Sequence, residues 1–463
     1  MIDASTQKIF SKTTLYSYWF KKNWYYHRSV AEFYSWAIPK SAMVLQIGAK
    51  NGSLLAATNP LIGIGVEYES ACLAIARHSY PAYTFYATLD EVAPQTFEYI
   101  ILSSTLMESI DVHKLFFDLK KFCTDSTRIV LDNYSCWWEP VLRLAQKVGL
   151  RKPSTFDNWL TKNDIQNFLY LNGFEEIYSG RRMLIPFYIP GISWFINSVV
   201  AHIPFVNRLC LIEWTIARMV HQKEKVSSVS VIVPCRNERG NVEEIVKTLP
   251  SLGSKTEIIF IEGHSKDGTL DEIQRVAATY PEKNISYFVQ DGKGKGDAVR
   301  LGFAKAKHDI LIIFDGDNTI PMHELPRFVQ VLDTGKGEFI NGSRFVYAME
   351  KGATRFLNII ANHCFGIGFS WLLGQKVKDT LCGTKVLYKK DYEKIAHNRA
   401  YFGEFDPFGD FDLLFGAAKL HLKIIDVAVH YKSRTYGSTQ IRRFYHGIIL
   451  AKMWIFALRK FKF

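Results

Sequence analysis

No CxxC pair occurs anywhere in these 463 residues. The seven cysteines (Cys72, Cys123, Cys136, Cys210, Cys235, Cys364 and Cys382) are scattered and odd in number. Neither a disulfide framework nor a zinc site is indicated, and a reducing, cytosolic compartment fits best. The N-terminus, MIDASTQKIFSK, lacks the apolar core and cleavage site of a signal peptide, so export by that route is not expected. Nor is there an unbroken apolar run of the roughly 20 residues that crossing a bilayer takes. The nearest stretch, Met183 to Asn207, has no Asp, Glu, Lys or Arg but is interrupted by Pro186, Pro190, Gly191, Asn197, His202 and Pro204. It reads as a segment lying on a membrane, a buried linker or a span. Internal repeats and low-complexity tracts are absent. Acidic residues are missing altogether from Val427 to Phe463, a stretch that carries Lys432, Arg434, Arg442, Arg443, Lys452, Arg459, Lys460 and Lys462.

What is present has the balance of a folded globular chain, 48% hydrophobic and 22% charged, with a formal net charge of +12. That charge calls for an acidic partner such as an anionic lipid or a phosphorylated substrate. No nucleic-acid-binding motif accompanies it, so nucleic acid is not expected as a partner. Two strand, glycine-loop, helix openings occur, at Met43–Ala57 and Val229–Leu249, each followed by alternating strand and helix patterns. They predict two Rossmann-like α/β domains with mostly parallel sheets. The first takes residues 1–222 with an apolar extension at 183–220; a polar linker at 223–228 leads to the second at 229–463.

In the first domain, MVLQIGAKNGSLLAA reads as a buried strand, a glycine turn and a helix start, which lets backbone N–H groups approach a nucleotide-like cofactor. Glu67 follows Gly48 by 19 residues, where a carboxylate can accept both ribose hydroxyls. Over roughly residues 20 to 180 the chain resembles the class I S-adenosylmethionine-dependent methyltransferases. The resemblance implies S-adenosylmethionine as a cofactor, held by Gly48, Gly52 and Glu67. Departures from the family pattern are Gln46 in place of an acid, Lys50 in place of the middle glycine, and TFYATL lacking the usual acid, with Thr88 there and Asp90 two residues on.

The second domain opens with VSVIVPCRNERGN, a strand ending in a Pro-x-x-Asn-Glu turn, and EIIFIEGHSKDGT ends a second strand in a polar turn. Adjacent parallel strand ends converge on one edge, where ligands bind. Pro234, Asn237, Glu238, Glu262 and Asp267 are therefore candidate contacts for a nucleotide sugar. ILIIFDGDNTIP brings Asp315 and Asp317 to the end of a buried strand, where two carboxylates can share one divalent metal, Mg2+ or Mn2+, bridging two phosphates. QDGKGKGDAVRLGF adds a glycine run with Lys293 and Lys295, able to wrap phosphates. Arg344 in FINGSRF and Arg355 in TRFLNIIAN are further cations beyond a strand and on a helix.

PCRNE, DGT, GKGDAVRLG, DGD, NGSR, DTLCGTK, FGDFDLL and SRTYGSTQI occur in the order found in family 2 glycosyltransferases of the GT-A fold, and resemble in particular the polyprenyl-phosphate hexose synthases. The resemblance covers nearly all of Val229–Phe463. Two positions depart from it: the usual Asp-Asp-Gly-Ser turn is Glu262-Gly263-His264-Ser265, and Gln440 replaces a Lys. It implies an inverting, metal-dependent hexosyltransferase, with a nucleotide-diphosphate sugar as donor and a polyprenyl phosphate or related lipid-linked acceptor. Metal on Asp315 and Asp317, with Lys295 and Arg434 nearby, would stabilise the leaving diphosphate. Arg344 and Arg355 would hold an acceptor phosphate. For a hydroxyl acceptor, Asp412 or Asp410 would be the base. The basic, aromatic C-terminus suits a helix in the interface of an anionic membrane or one packed on the domain. The expected location is the inner face of the cytoplasmic membrane, peripherally bound. Two further readings stay open: a bifunctional glycosyltransferase and methyltransferase acting on one glycan, and an inactive membrane scaffold.

Overall fold

The computed structural model describes residues 17–151, 158–220, 226–344, 346, 356–399, 411–437 and 443–461, the side chains of 356–361 and 443–447 excepted. The chain packs as two units, Met1–Val220 and His221–Phe463.

In the first unit, helix α1 (Trp24–Ala37) buries Val30, Phe33, Tyr34 and Ala37, the i, i+3, i+4, i+7 stripe of a core-facing helix. The sheet has strands β1 (Met43–Ile47), β2 (Ile62–Val66), β3 (Thr84–Tyr86), β4 (Tyr99–Ser103), β5 (Arg128–Tyr134), β6 (Phe174–Arg182) and β7 (Ile212–Met219). Their order is β3-β2-β1-β4-β5-β7-β6. The first five are mutually parallel, and β7 runs antiparallel between β5 and β6. β1 and β4 are apolar almost throughout because helices cover both faces of a parallel sheet. The order reverses between β1 and β4, so a ligand crevice opens outside those two strand ends. This is the α/β architecture with a methyltransferase-like sheet that the sequence predicts.

The apolar run 183–207 contains a short helix, Ile192–Ser198, and two single turns. Asn197, expected to break the run, instead ties it together: its Oδ1 accepts from the N–H groups of Leu184 and Ile185 at 2.8 and 3.0 Å, and its Nδ2 donates to the Ile185 carbonyl at 2.8 Å. Phe187, Tyr188, Trp194, Phe195 and Phe205 remain exposed. Among the described residues no helix is long and apolar enough to cross a membrane.

The second unit has strands β8 (Val229–Cys235), β9 (Thr256–Glu262), β10 (Ile285–Val289), β11 (Ile310–Ile313), β12 (Phe339–Ser343), β13 (Lys385–Tyr388) and β14 (Ile424–Ala428), ordered β10-β9-β8-β11-β13-β12-β14. β10, β9, β8 and β11 are parallel, so their carboxyl ends share one edge, while β13 is antiparallel to both neighbours. Helix α2 (Lys295–Lys305) follows the glycine loop and packs on β8 and β9. Helices α3 (Phe356–Leu373), α4 (Phe411–Lys419) and α5 (Arg443–Phe461) enclose one core cluster.

The basic C-terminus forms α5, whose Leu450, Met453 and Ala457 are buried in that cluster, with Trp454 stacked on Trp371 at 6.3 Å and Phe461 tilted against Phe415 at 6.0 Å. The helix is therefore packed on the domain. Its opposite face exposes Ile448, Lys452, Ile455 and Arg459, one side of a helix at spacings of four, three and four.

Candidate functional site

The site of the second unit is built on the shared strand edge. β11 ends at Ile313, and Asp315 and Asp317 follow at once. Lys295, the first residue of α2, places its Nζ 2.7 Å from Asp315 Oδ1. Asp317 accepts from the Thr319 hydroxyl and backbone N–H at 2.9 and 3.3 Å, and its other oxygen meets Arg434 Nη2 at 2.5 Å. Burial alone would raise the Asp315 pKa, but Lys295, aided by Arg344 and Lys385, outweighs it and holds the carboxyl below its usual range. Asp317 is pushed the other way, by burial and by the negative charge of Asp315, in spite of Arg434. A Cβ on Gly383 would lie 1.9 Å from Asp315 Oδ2, so only glycine leaves room for that carboxylate. The DTLCGTK stretch thus has a physical reason for its glycine.

Glu238, after β8, accepts from Asn241 Nδ2 at 2.6 Å and lies 3.9 Å from Arg434 Nη1. Burial, and next the charge of Asp317, push its pKa up to about 7. Asn237 adopts a positive φ of 57°, and its Oδ1 accepts from the Lys266 N–H at 2.8 Å, which stitches the two turns together. Asp267 accepts from the N–H groups of Thr269 and Arg239 at 3.1 and 3.3 Å and from the Tyr436 hydroxyl at 3.1 Å. Pro234 is half-buried in the last turn of β8. Glu262 is buried, its oxygens accepting from the N–H groups of His264 and Ser265 at 3.1 and 2.5 Å. Its carboxylate shapes the turn through these two backbone bonds and keeps a further acceptor site on each oxygen.

Arg344, just past β12, is clamped bidentately by buried Asp379: Nε to Oδ2 is 2.7 Å, Nη2 to Oδ1 is 2.9 Å, and the Arg344 N–H adds a bond at 3.1 Å. Its guanidinium lies 5.1 Å from the centre of the Tyr431 ring. Asp379 holds its pKa above the ordinary value against the cost of burial. Asp412, the second residue of α4, is buried, with Arg399 Nε 3.3 Å from its Oδ2. Arg355 and Asp410 lie outside the described residues.

Residues 429–437 form a strap across this edge. The Val429 N–H donates to the Ser343 carbonyl at 3.0 Å and the Lys432 N–H to the Thr319 carbonyl at 2.9 Å. The Glu324 carboxylate, fully buried, takes the His430 N–H at 3.0 Å and His430 Nδ1 at 2.6 Å. Farther on, Arg434, Thr435 and Tyr436 reach Asp317, Asn241 and Asp267. Sequence reasoning found Arg434 but gave no role to Glu324, His430, Tyr431, Asp379, Gly383 or Tyr436. For Asp379 and Gly383 the signal was their place in DTLCGTK; for Glu324 there was none, since a lone acid in a surface-like helix start looks solvated.

Among the described residues, no group of three or more His, Cys, Asp or Glu is arranged as a metal site. The donor set still fits a hard divalent cation: two oxygen-donor carboxylates pressed close enough for Asp315 to raise the Asp317 pKa, with Lys295 and Arg434 as present counter-ions.

The first unit fits its implied cofactor poorly. Gly48 and Gly52 take left-handed φ values of 72° and 79°, as the loop requires. Between them, Lys50 donates its N–H to Glu67 Oε2 at 2.6 Å, and the Glu69 N–H donates to Oε1 at 2.9 Å, so each carboxylate oxygen carries one backbone donor and keeps a further acceptor site. The Lys50 ammonium pairs with Glu108, beyond β4, and so bridges the ends of β1 and β4 where the crevice should open. Burial works against the Lys50 charge, but Glu108 and Glu67 raise its pKa. Gln46 Oε1 is buried without a hydrogen-bond partner. Asp90, the substitute acid, is exposed and 3.4 Å from Lys121. Of these features the Lys50–Glu108 bridge is the one that stands against S-adenosylmethionine in this crevice.

Comparison with known proteins places this geometry. Residues 230–396 match the family model described as Glycosyl transferase family 2. A dolichol-phosphate mannosyltransferase of Pyrococcus furiosus is 33% identical over 120 residues, 26% of this chain and 33% of that protein. An undecaprenyl-phosphate 4-deoxy-4-formamido-L-arabinose transferase of Pseudomonas syringae pv. syringae is 22% identical over 151 residues, 31% of this chain and 45% of that one. The chain thus spans between a third and under half the length of these curated relatives. Among solved structures, glucosyl-3-phosphoglycerate synthase of Mycobacterium tuberculosis aligns with a TM-score of 0.37 and 17% identity, covering 51% of this chain and 80% of that one. A Thermotoga maritima protein described as a SAM-dependent methyltransferase aligns at 0.36 and 12%, covering 46% and 98%. The C-terminal unit carries a glycosyltransferase family 2 domain.

Proposed function

We propose that the second unit transfers a hexose from a nucleotide-diphosphate sugar to a polyprenyl phosphate or a related lipid-linked acceptor, with inversion at the anomeric carbon. The observation that carries the reading is the convergence of Lys295 and Arg434 on Asp315 and Asp317 at the end of β11. As the anomeric carbon–oxygen bond to the donor breaks, negative charge grows on the departing diphosphate. Preorganised cations at that point stabilise the transition state. A divalent ion held by Asp315 and Asp317 would add Lewis-acid stabilisation of the same oxygens. Lys295 and Arg434, now counter-ions of the two carboxylates, would turn toward the phosphates. A lipid phosphate attacks through an oxygen that is already anionic, so no base is required. Arg344, fixed by Asp379, is the preorganised cation for the acceptor phosphate. Were the acceptor a hydroxyl, Asp412 with Arg399 as counter-ion would be the base. The names of the mannosyl and arabinosyl relatives, which specify dolichol and undecaprenyl phosphates, support the lipid acceptor.

A peripheral place on an anionic membrane follows from the exposed Ile448, Lys452, Ile455 and Arg459 on α5 and the acid-free basic C-terminus. The test is a screen of nucleotide sugars with short polyprenyl phosphates, with and without a chelator. Metal-dependent release of nucleotide and formation of the lipid-linked sugar are expected. Failure of every donor to turn over would overturn the reading.

A further inference from the structure

We infer that the first unit carries a membrane-docking surface of its own, built from the start of α1 and the 183–209 extension, and that its partner is the anionic interface of a lipid bilayer. This surface lies in the other unit from α5 and does not depend on the transfer reading. The two segments form one body. Trp24 and Tyr25 of α1 lie 5.4 and 5.8 Å, ring centre to ring centre, from Tyr188. Asn197 Nδ2 donates to the Tyr25 hydroxyl at 3.1 Å, and Trp138 Nε1 donates to the Leu209 carbonyl at 2.8 Å. Within the extension the polar groups turn inward. Buried Ser193 accepts from the Ile189 N–H and donates to the Phe187 carbonyl, both at 2.8 Å, and Asn207 Nδ2 donates to the Ala201 carbonyl at 2.7 Å. With its backbone tied from inside, the segment turns Phe187, Trp194, Phe195 and Phe205 out to solvent. A contiguous patch of large apolar side chains marks a surface that something covers.

The charge around the patch selects the partner. Residues 177–212 contain no Asp or Glu, and neither do residues 17–31, while Lys21, Lys22 and Arg208 are exposed. The acids that bound these stretches, Glu32 and Glu213, pair with Arg28 and Arg181 at 2.9 and 2.7 Å. A second copy docking here about a two-fold axis would set cations against cations, which disfavours self-association. Exposed Ile192, Ile203 and Leu209 have no ring to stack on a nucleic-acid base, so they favour acyl chains over bases. An anionic bilayer meets both demands: the acyl boundary takes the aromatic and aliphatic side chains, and the headgroups take the cations. The cations already lie along rings as interfacial ones do, with Lys22 Nζ 4.8 Å from the Trp19 ring centre and the Arg208 guanidinium 5.5 Å from that of Phe205.

The experiment measures sedimentation of the full chain with vesicles of equal parts phosphatidylglycerol and phosphatidylcholine, and with phosphatidylcholine alone. Trp194 and Phe205 are 65% and 78% exposed, so Trp194→Ala combined with Phe205→Ala should leave the melting temperature unchanged. The double variant is expected to bind the anionic vesicles about tenfold or more weakly, the loss that follows from returning two aromatic side chains to water. Trp194→Phe is expected to keep its binding but to lose part of the tryptophan quenching by lipids brominated on their acyl chains, a signal that misfolding cannot mimic. Binding of the double variant at the wild-type level, or quenching unchanged in Trp194→Phe, overturns the inference while α5 and the donor site stand. Equal binding of the wild type to both vesicle types overturns the anionic partner. A wild-type dimer that the double variant dissociates, with vesicle binding unchanged, would give the face to a second copy instead. Transfer to a short, soluble polyprenyl phosphate should be the same in all variants, so its failure would count against the transfer reading and not against this surface.

Discussion

At the scale of single residues, the site places like charges close together and balances them with cations, and this makes its ionisation testable. Asp317→Asn should keep the fold, because Thr319 and Arg434 still find an oxygen, yet lose the charge a divalent ion needs. Metal-dependent donor binding should fall by about 100-fold or more by analogy with other removals of transition-state charge partners. Calorimetry with and without chelator reads this directly, and equal donor affinity in both variants would move the metal elsewhere. Glu238 gives a pH signature. Its pKa is pushed up to about 7 by burial and by Asp317, so it is neutral below that pH and anionic above it. Divalent-ion affinity should therefore rise between pH 6 and 8, and the inflection should disappear in Glu238→Gln. The same raised pKa works against the metal-free fold: the stability it contributes is full below the ordinary carboxylate range and is lost as pH rises through about 7. Melting of the chelated protein across that range checks the sign.

Among the elements, α5 has two unlike faces, one buried in the core and one exposed. Met453, in the core between α3 and α4, should cost about 2–4 kcal/mol when cut to Ala, as large-to-small core substitutions do. Lys452 and Arg459, on the outer face, should change stability by no more than about 0.5 kcal/mol when replaced by Gln. If that face meets an anionic membrane, each charge removed should weaken vesicle binding by about 1 kcal/mol, and high salt should do the same. Sedimentation with anionic vesicles separates the outcomes. A double variant that still pellets at the wild-type level would transfer the anchoring role to the exposed aromatic residues of 187–205. The existence of this helix was legible from the acid-free, apolar and basic pattern. Its packed face was not, because the pattern IILAKMWIFAL is apolar enough for either a core or a membrane, and only the presence of α3 and α4 beside it decides.

On the scale of the whole molecule, the two units follow one architectural rule with different results. Both place a glycine loop after a first strand, yet only the second keeps its crevice edge equipped. For the first unit the expected result is weak or absent S-adenosylmethionine binding in equilibrium dialysis. Lys50→Gly, which removes the bridge to Glu108, should strengthen it. Micromolar binding by the wild type that vanishes in Glu67→Ala would instead favour a bifunctional enzyme. By itself, the sequence determined two α/β sheets, because runs such as MVLQI, VSVIV and ILIIF are short, apolar, rich in β-branched residues and followed by polar or glycine turns, the pattern of strands covered on both faces. The resemblance to family 2 glycosyltransferases implied Lys295 near Asp315 and Asp317, and the structure places its Nζ 2.7 Å from Asp315. Tertiary structure alone decided which groups each carboxylate meets. Glu67 and Glu262 look like plain ligand contacts in sequence but each also takes two backbone N–H groups two to seventeen residues away. Glu324 looks like a surface acid but is buried to hold His430 across 106 residues. Such pairings depend on where distant backbone groups arrive, and no local pattern encodes that; the periodicity of a strand fixes which face a residue takes, while the partner waiting there is fixed by how the sheet is threaded.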